Sequence, residues 1–278
     1  MRGQEREAEK SGRKRLQTIF KYPQGSFYIV PKILKLIPPH NVYVEVFGGA
    51  ACLLFNKKPA RVEVYNDING ELVNFFRVLR DDTKWKILQE KLALTPYARA
   101  EFEEACRAPT GELDDVERAR RFFVRVQMSF AGKGETFGYA VARNLPLPHY
   151  NKIALFPAFH DRLKNVIIEN DDFEKIFRRY DSPETFFFCD PPYICHSIRS
   201  DFLNLELLEE DHRRLIETVL NVKGKVLLLG FWHPLYKPLT AAGWCVMRLR
   251  VPIFHCHSHQ TGGKRRHHYR YAWMNYKL

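Results

Sequence analysis

The sequence predicts an α/β fold, a mostly parallel sheet with helices on both faces, and three observations carry that prediction. Short apolar runs alternate with helical patterns along most of the chain, the signature of strand–helix–strand units. The alternation is broken once, between about residues 81 and 164, where helical patterns follow one another without a strand. The chain, at 278 residues and 45% apolar, is long and apolar enough to bury a substantial core.

The elements follow in order. The chain opens with Arg2, Glu5, Arg6, Glu7, Glu9, Lys10, Arg13, Lys14 and Arg15 and almost nothing apolar, so residues 1–18 are expected to form a mobile basic tail. Strands are expected at Val42 to Phe47, Val62 to Tyr65, Val166 to Glu169, Phe186 to Cys189 and Val226 to Leu229. Within the interruption, helices are expected at Thr83 to Leu92, Tyr97 to Arg107, Asp114 to Phe130 and Lys152 to Lys164. The division that results is a body of residues 19–80 and 165–278, with residues 81–164 as a helical insertion. Between the last two insertion helices lies Ala131-Gly132-Lys133-Gly134-Glu135-Thr136-Phe137-Gly138, a glycine-rich loop with cationic and aromatic side chains, the kind of long loop that often carries function.

Composition excludes some classes. No stretch approaches the ~20 consecutive apolar residues of a membrane span, and the charged N-terminus is unlike a signal peptide, so a cytoplasmic protein is expected. Six scattered cysteines without a CxxC pair argue against a disulfide framework or zinc ribbon and are read as reduced thiols. A net charge of +12 favours a polyanionic partner.

The chemistry concentrates in Asp190-Pro191-Pro192-Tyr193, directly after the apolar run Phe186-Phe187-Phe188-Cys189. Ligands of open α/β sheets bind beyond the carboxyl ends of strands, where this motif falls. Its residue types suit methylation of a conjugated amine. Such an amine is a poor nucleophile until acceptors draw its lone pair out of conjugation, and Asp190 offers a carboxylate oxygen while Pro191 offers a backbone carbonyl. Consecutive prolines fix φ and remove two N–H donors, holding that carbonyl outward. Tyr193 offers a ring on which a base can stack. The alternative is a strand followed by an ordinary Asp-Pro turn.

A second motif, Val42-Tyr43-Val44-Glu45-Val46-Phe47-Gly48-Gly49-Ala50-Ala51, reads as a strand, a small-residue turn that lets a bound cofactor approach the backbone, and then an apolar helix. The second strand ends at Asp67, 22 residues past Glu45, where a carboxylate can accept hydrogen bonds from ribose hydroxyls. Alternatively, Asp67 caps the helix that starts near Asn69.

Together these features resemble the alpha group of amino-methyltransferases, the family of DNA adenine methylases, over about residues 19 to 278. The order of parts is the same: an N-terminal cofactor segment, the Phe-x-Gly turn, the acidic strand end, a target-recognition insertion, then Asp-Pro-Pro-Tyr. The resemblance implies a Rossmann-like seven-stranded methyltransferase sheet, S-adenosyl-L-methionine as cofactor, and double-stranded DNA as partner, its target adenine flipped out and methylated at N6. It places Glu45, Phe47, Gly48 and Gly49 in the methionine-side pocket, Asp67 at the ribose, and Asp172 and Phe173 at the cofactor's adenine end. Lys21, Tyr22 and Gly25 fall in the N-terminal cofactor segment. Asp190, Pro191, Pro192 and Tyr193 match the catalytic motif. Ser129, Gly132, Lys133, Arg143, Lys264, Arg265 and Arg266 are assigned to nucleic acid, and Trp273-Met274-Asn275-Tyr276 looks like the closing strand. The resemblance leaves room for a partner restriction endonuclease.

The sequence departs from the family at several points. A Lys usual after paired glycines near the N-terminus is replaced in Lys21-Tyr22-Pro23-Gln24-Gly25-Ser26. The third glycine of the cofactor turn is Ala51, the recognition-turn Asn is Ala131, and Gly230-Phe231 stands where Ser-Asn is common. The run His255-Cys256-His257-Ser258-His259 with His267-His268 raises a metal site, set aside because the alternation fits a strand edge. Asp211-His212 is read as structural. The competing functions are an rRNA adenine-N6 methyltransferase and an inactive DNA-binding remnant.

Overall fold

The structure is a computed structural model, and it describes residues 18–23, 27–109, 111–142, 144–194, 202–203, 206–252 and 267–278. Gly25, Arg143, Lys264, Arg265, Arg266, the expected tail up to residue 17 and the His255 to His259 run lie outside the described residues.

Seven strands form one sheet in the order β3-β2-β1-β4-β5-β7-β6. They are β1 (Val42–Glu45), β2 (Val62–Asn66), β3 (Val166–Glu169), β4 (Thr185–Cys189), β5 (Lys225–Gly230), β6 (Cys245–Pro252) and β7 (His267–Met274). The first five are mutually parallel, and β7 lies antiparallel between β5 and β6. From β1 the chain winds outward through β2 to β3, then returns to β4 on the other side, so order reverses between β1 and β4. In open α/β sheets the crevice at such a reversal is where ligands bind.

Strand periodicity of two sends alternate residues into different cores. Tyr43, Tyr65, Phe186, Phe188, Leu227 and Leu229 join one buried cluster; Val44, Val64, Phe187, Cys189, Val226 and Leu228 join the other. The second core is closed by α8 (Phe173–Tyr180) and α9 (Glu209–Leu220). The first is closed by α2 (Gly70–Arg80), capped by Asn69, whose side chain accepts from the Glu71 and Leu72 amides at 3.0 Å each.

Residues 84–163 contribute α3 (Lys84–Leu94), α4 (Arg99–Cys106), α5 (Asp115–Met128), α6 (Pro146–Ile153) and α7 (Phe156–Leu163). Their apolar faces share the first core: Phe122, Phe123 and Phe156 pack against Phe75 of α2. A buried ion network fixes α7 to the sheet, with Glu63 of β2 between Lys57 and Arg162.

Four expected elements change. The helix expected after the Gly48-Gly49 turn is instead a series of turns over residues 52–56, entered through Ala51 at a left-handed φ of 53°, in which the Phe55 and Lys57 amides reach back four residues but the Asn56 amide only three. The helix expected over Lys152 to Lys164 is two helices, with Pro157 in the first turn of the second, where a missing N–H is harmless. The helix expected to reach Phe130 stops at Met128, since Ser129 is extended. Finally, β7 ends at Met274; Asn275 turns its side chain to the Val226 amide at 2.8 Å and the Gly224 carbonyl at 2.9 Å.

Candidate active site

The crevice between the carboxyl ends of β1 and β4 is a cleft with about 750 Å³ of free space, open to solvent. From β1 come Glu45, Phe47, Gly48, Gly49, Ala50, Cys52 and Leu53; from β2, Asp67 and Ile68; from β4, Phe188 and the whole Asp190 to Tyr193 motif; Tyr22, Pro23 and Leu203 close the edges. The two motifs the sequence singled out, about 145 residues apart, thus face one cavity because β1 pairs directly with β4, Glu45 beside Phe188.

Glu45 is buried, and one carboxylate oxygen accepts both the Tyr43 hydroxyl at 2.8 Å and the Leu54 amide at 3.0 Å. Burial raises its pKa to about 8, partly opposed by those two donors. Asp67 grips the glycine turn: Oδ2 accepts from the Gly49 amide and Oδ1 from the Asn69 amide, each at 2.9 Å. Burial also raises the Asp67 pKa, against the pull of its backbone donors. Asn69, not Asp67, is the helix cap, which leaves the Asp67 carboxylate on the cleft wall.

The two glycines have a reason the sequence did not reveal. A Cβ on Gly48 would overlap the Tyr65 ring, and one on Gly49 would come within 3.0 Å of the Tyr22 ring. Gly49 also has a φ of 49°. Tyr65 further donates its hydroxyl to the Gly49 carbonyl at 2.9 Å, so two aromatic rings mould the turn.

On the β4 side, Tyr193 is buried and its hydroxyl donates to Asp190 Oδ1. Phe231 meets the Tyr193 ring edge-on at 4.9 Å, and the Arg270 guanidinium lies 5.0 Å from the ring centroid and 3.9 Å from Asp190 Oδ2. Phe231 follows β5 and Arg270 lies in β7, so strand order brings both to the motif. Sequence reasoning missed Arg270; the only signal was an inward position in the alternating strand His267–Met274, next to buried Ala272 and Met274.

The charge of the cleft is opposite to that of the chain. Among the described residues lining it are three acidic side chains, Asp67, Asp190 and Glu45, the last with its pKa raised to about 8 and so protonated near neutral pH, and no Lys, Arg or His, although the net charge is +12. Such a cavity favours cationic and hydroxyl-bearing ligands over phosphates.

Residues 27–228 match the D12 class N6 adenine-specific DNA methyltransferase family. The chain belongs to that family. It is 30% identical over 207 residues to the Type II methyltransferase M1.LlaDCHI of Lactococcus lactis subsp. cremoris, covering 67% of this chain and 69% of the relative. It is 24% identical over 223 residues to the Type II methyltransferase M.CviBI of Paramecium bursaria Chlorella virus NC1A, covering 77% and 82%. Against the DNA adenine methylase of Vibrio cholerae serotype O1 it is 25% identical over 196 residues, covering 68% and 69%.

In this D12-class methyltransferase the remaining sequence-selected residues fall into separate places. Tyr22 lines the cleft, whereas Lys21 turns to the insertion, its amide and Nζ donating to the Gln127 side chain and carbonyl at 3.0 Å each. Phe173 is buried against Phe47 at 5.8 Å. Asp172 caps α8, accepting from the Glu174 amide at 2.9 Å, and faces Arg214. Neither Asp172 nor Phe173 lines the cleft.

In the insertion loop, Ser129 is buried; its hydroxyl donates to the Val126 carbonyl at 2.9 Å and accepts the Gly134 amide at 2.8 Å. Gly132 (φ 76°) packs on the Lys21 backbone, and Lys133 is half-buried. The large apolar side chains exposed around this loop are Phe130, Tyr139 and Val141. Asp211 caps α9 and bonds Arg214, while buried His212 meets the Tyr236 hydroxyl at 2.9 Å. Cys52, Cys106, Cys189 and Cys245 are free thiols, and the described residues contain no cluster able to hold a metal.

Proposed function

We propose that the cleft takes S-adenosylmethionine along the β1–β2 wall and a flipped adenine against Tyr193, and that Asp190 and Pro191 direct methyl transfer to adenine N6 in double-stranded DNA. The carrying observation is the acidic cleft in a basic chain. Asp67, Asp190 and the protonated Glu45 line it with no basic side chain among the described residues, which suits a cationic methyl donor with ribose hydroxyls and an uncharged base. A dinucleotide or nucleoside triphosphate would set its phosphates against those carboxylates.

The residues present fit that donor. Asp67 would accept its ribose hydroxyls, Glu45, Phe47, Gly48 and Gly49 would line its methionine side, and Asp172 and Phe173 would support its adenine end from behind Phe47. When bound, S-adenosylmethionine supplies an electrophilic methyl group on a sulfonium.

The chain's own residues then do the following. Tyr193 supports the adenine ring by stacking, worth about 1–3 kcal/mol in comparable sites. Asp190 and the Pro191 carbonyl accept the two N6 hydrogens, turning the nitrogen lone pair toward the methyl donor. The negative charge of Asp190 stabilises the positive charge that develops on N6, and the proton then leaves through the solvent-open cleft. Tyr193 and Arg270 already bracket the Asp190 carboxylate, which limits its reorganisation on base entry.

We further propose that residues 81–164 form the target-recognition insertion, that Lys133, Arg143, Lys264, Arg265 and Arg266 engage phosphates, and that Ser129 and Gly132 act by shaping the loop. The Type II names of two relatives support a companion restriction endonuclease.

The test is incubation with labelled S-adenosylmethionine and unmethylated mixed-sequence DNA, followed by digestion to nucleosides. N6-methyladenine is the expected product, and its position maps the target. Donor binding with methylation of RNA instead of DNA would overturn the substrate; absence of donor binding would overturn the cleft assignment.

A further inference from the structure

β5 ends at Gly230, and the chain leaves the sheet at its carboxyl edge through Phe231 and Trp232. Phe231 touches the edge of the Tyr193 ring, with an interplanar angle of 86°. Trp232 comes next and is 51% exposed, whereas Trp244 and Trp273 are buried and Trp85 is half-buried against His160. Behind Trp232 stands Tyr271 of β7, with ring centroids 5.5 Å apart, and behind Tyr271 stands Trp273 at 5.8 Å. Two aromatic pairs therefore flank the end of β5: Phe231 against Tyr193 and, from the next residue, Trp232 against Tyr271, which leaves an indole half in solvent.

An exposed tryptophan forgoes one of the largest burial gains any side chain offers, so its retention beside a reacting site is informative. Here the indole is held from behind by a second ring and belongs to the residue directly after Phe231, which touches Tyr193. It also sits on the sheet edge where ligands of this architecture bind. Nucleobases are the ligands whose flat faces suit such a surface, and stacking on it is tolerant of base identity. Extruding an adenine also strips its neighbours in the strand of one stacking partner.

We propose that Trp232 is a stacking subsite for the nucleobase next to the target adenine in the same strand. The subsite rests on the reading that Tyr193 receives the adenine. It holds the flanking base as the target leaves the duplex, and it stabilises the flipped state without selecting a sequence.

The experiment is a cycle on the full-length enzyme with duplexes carrying the mapped target. In one set both neighbours of the adenine are intact, and in the others one neighbour is an abasic residue. W232A is expected to weaken binding of the intact duplex about tenfold, to bind like wild type when the stacking neighbour is abasic, and to bind S-adenosylmethionine unchanged. W232F should recover most of the loss, and the wild-type indole fluorescence should be quenched by the intact duplex. Equal losses on intact and abasic duplexes, or no loss at all, would overturn the subsite and leave Trp232 as packing for Tyr271. Failure of the wild type to methylate any DNA would instead strike the underlying reading.

Discussion

The carboxyl ends of β1 and β4 lie side by side on the same cleft, yet they are built on opposite plans. At the β1 end, polar groups are consumed internally: Glu45 is held by Tyr43 and Leu54, Asp67 by two backbone amides, and the glycine turn by two tyrosine rings. At the β4 end, the polypeptide offers acceptors. Two prolines withdraw backbone donors, and Asp190 stands bracketed by Tyr193 of its own motif and Arg270 of β7. The difference teaches that one wall of the cleft is a preformed mould, while the other, on the function proposed above, is the reagent.

Substitutions on the two walls should therefore fail in different ways. The largest effect is expected for Asp190→Ala, with methyl transfer to DNA falling roughly a thousandfold or more while donor affinity, followed by calorimetry, changes little. A mutant that retains near wild-type turnover would remove Asp190 from the reagent wall.

Glu45→Gln should act through stability. With its pKa at about 8 against an ordinary 4.5, native Glu45 holds a proton that the unfolded chain releases. Stability therefore falls as pH rises from 4.5 to 8 and levels off above that. The glutamine carbonyl can still accept from Tyr43 and Leu54, so the variant should be more stable than wild type by a few kcal/mol at pH 9 and nearly equal at pH 4.5. Urea unfolding at the two pH values checks it, and a wild-type curve flat across that window would mean that Glu45 is ionised in the mould.

His149 sharpens the same point in the insertion. It is fully buried, neither ring nitrogen has a hydrogen-bond partner among the described residues, and burial lowers its pKa to about 4. The unfolded chain takes up this proton between pH 6.5 and 4, so stability is lost as pH falls through that window. His149→Phe should reduce that acid loss by roughly 2–3 kcal/mol, measured as unfolding midpoints at pH 7 and 4.5; an unchanged acid limb would assign the loss to other groups such as His212.

The smallest effects concern two departures from the family pattern. Ala51 and Ala131, in place of a glycine and an asparagine, are the two non-glycine residues with positive φ among those described, at 53° and 55°. Left-handed geometry costs an alanine about 1–2 kcal/mol. Ala51→Gly and Ala131→Asn should each raise stability by up to about 1 kcal/mol, read from thermal unfolding, with methylation retained. A loss of stability would mean that the methyl groups, not the turns, are what the two sites require.

Much of this was legible in the sequence because local chemistry writes it there. The fully buried run Thr185–Cys189 could only be a central strand, and Asp190-Pro191-Pro192-Tyr193 could only follow it. What was misread depended on conformation that composition does not encode: the segment after Ala51 mixes three- and four-residue hydrogen bonds instead of settling into a helix, and the Lys152 to Lys164 helix divides where a proline opens a new turn.

The sequence by itself determined the five parallel strands, the order of the motifs, the acidic and aromatic character of the cleft end and the basic charge of the whole, while β6 went unread. Periodicity and residue type are properties of neighbours along the chain, and they specify which face a side chain takes. Only the tertiary structure decided whom each side chain meets. Insertion of β7 antiparallel between β5 and β6 brings Arg270 to Asp190 and Tyr271 behind Trp232. Pairing of β1 with both β2 and β4 gathers three separate acidic side chains into one cleft. Those contacts join residues tens to more than a hundred positions apart, and their partners are set by strand order, which no local pattern records.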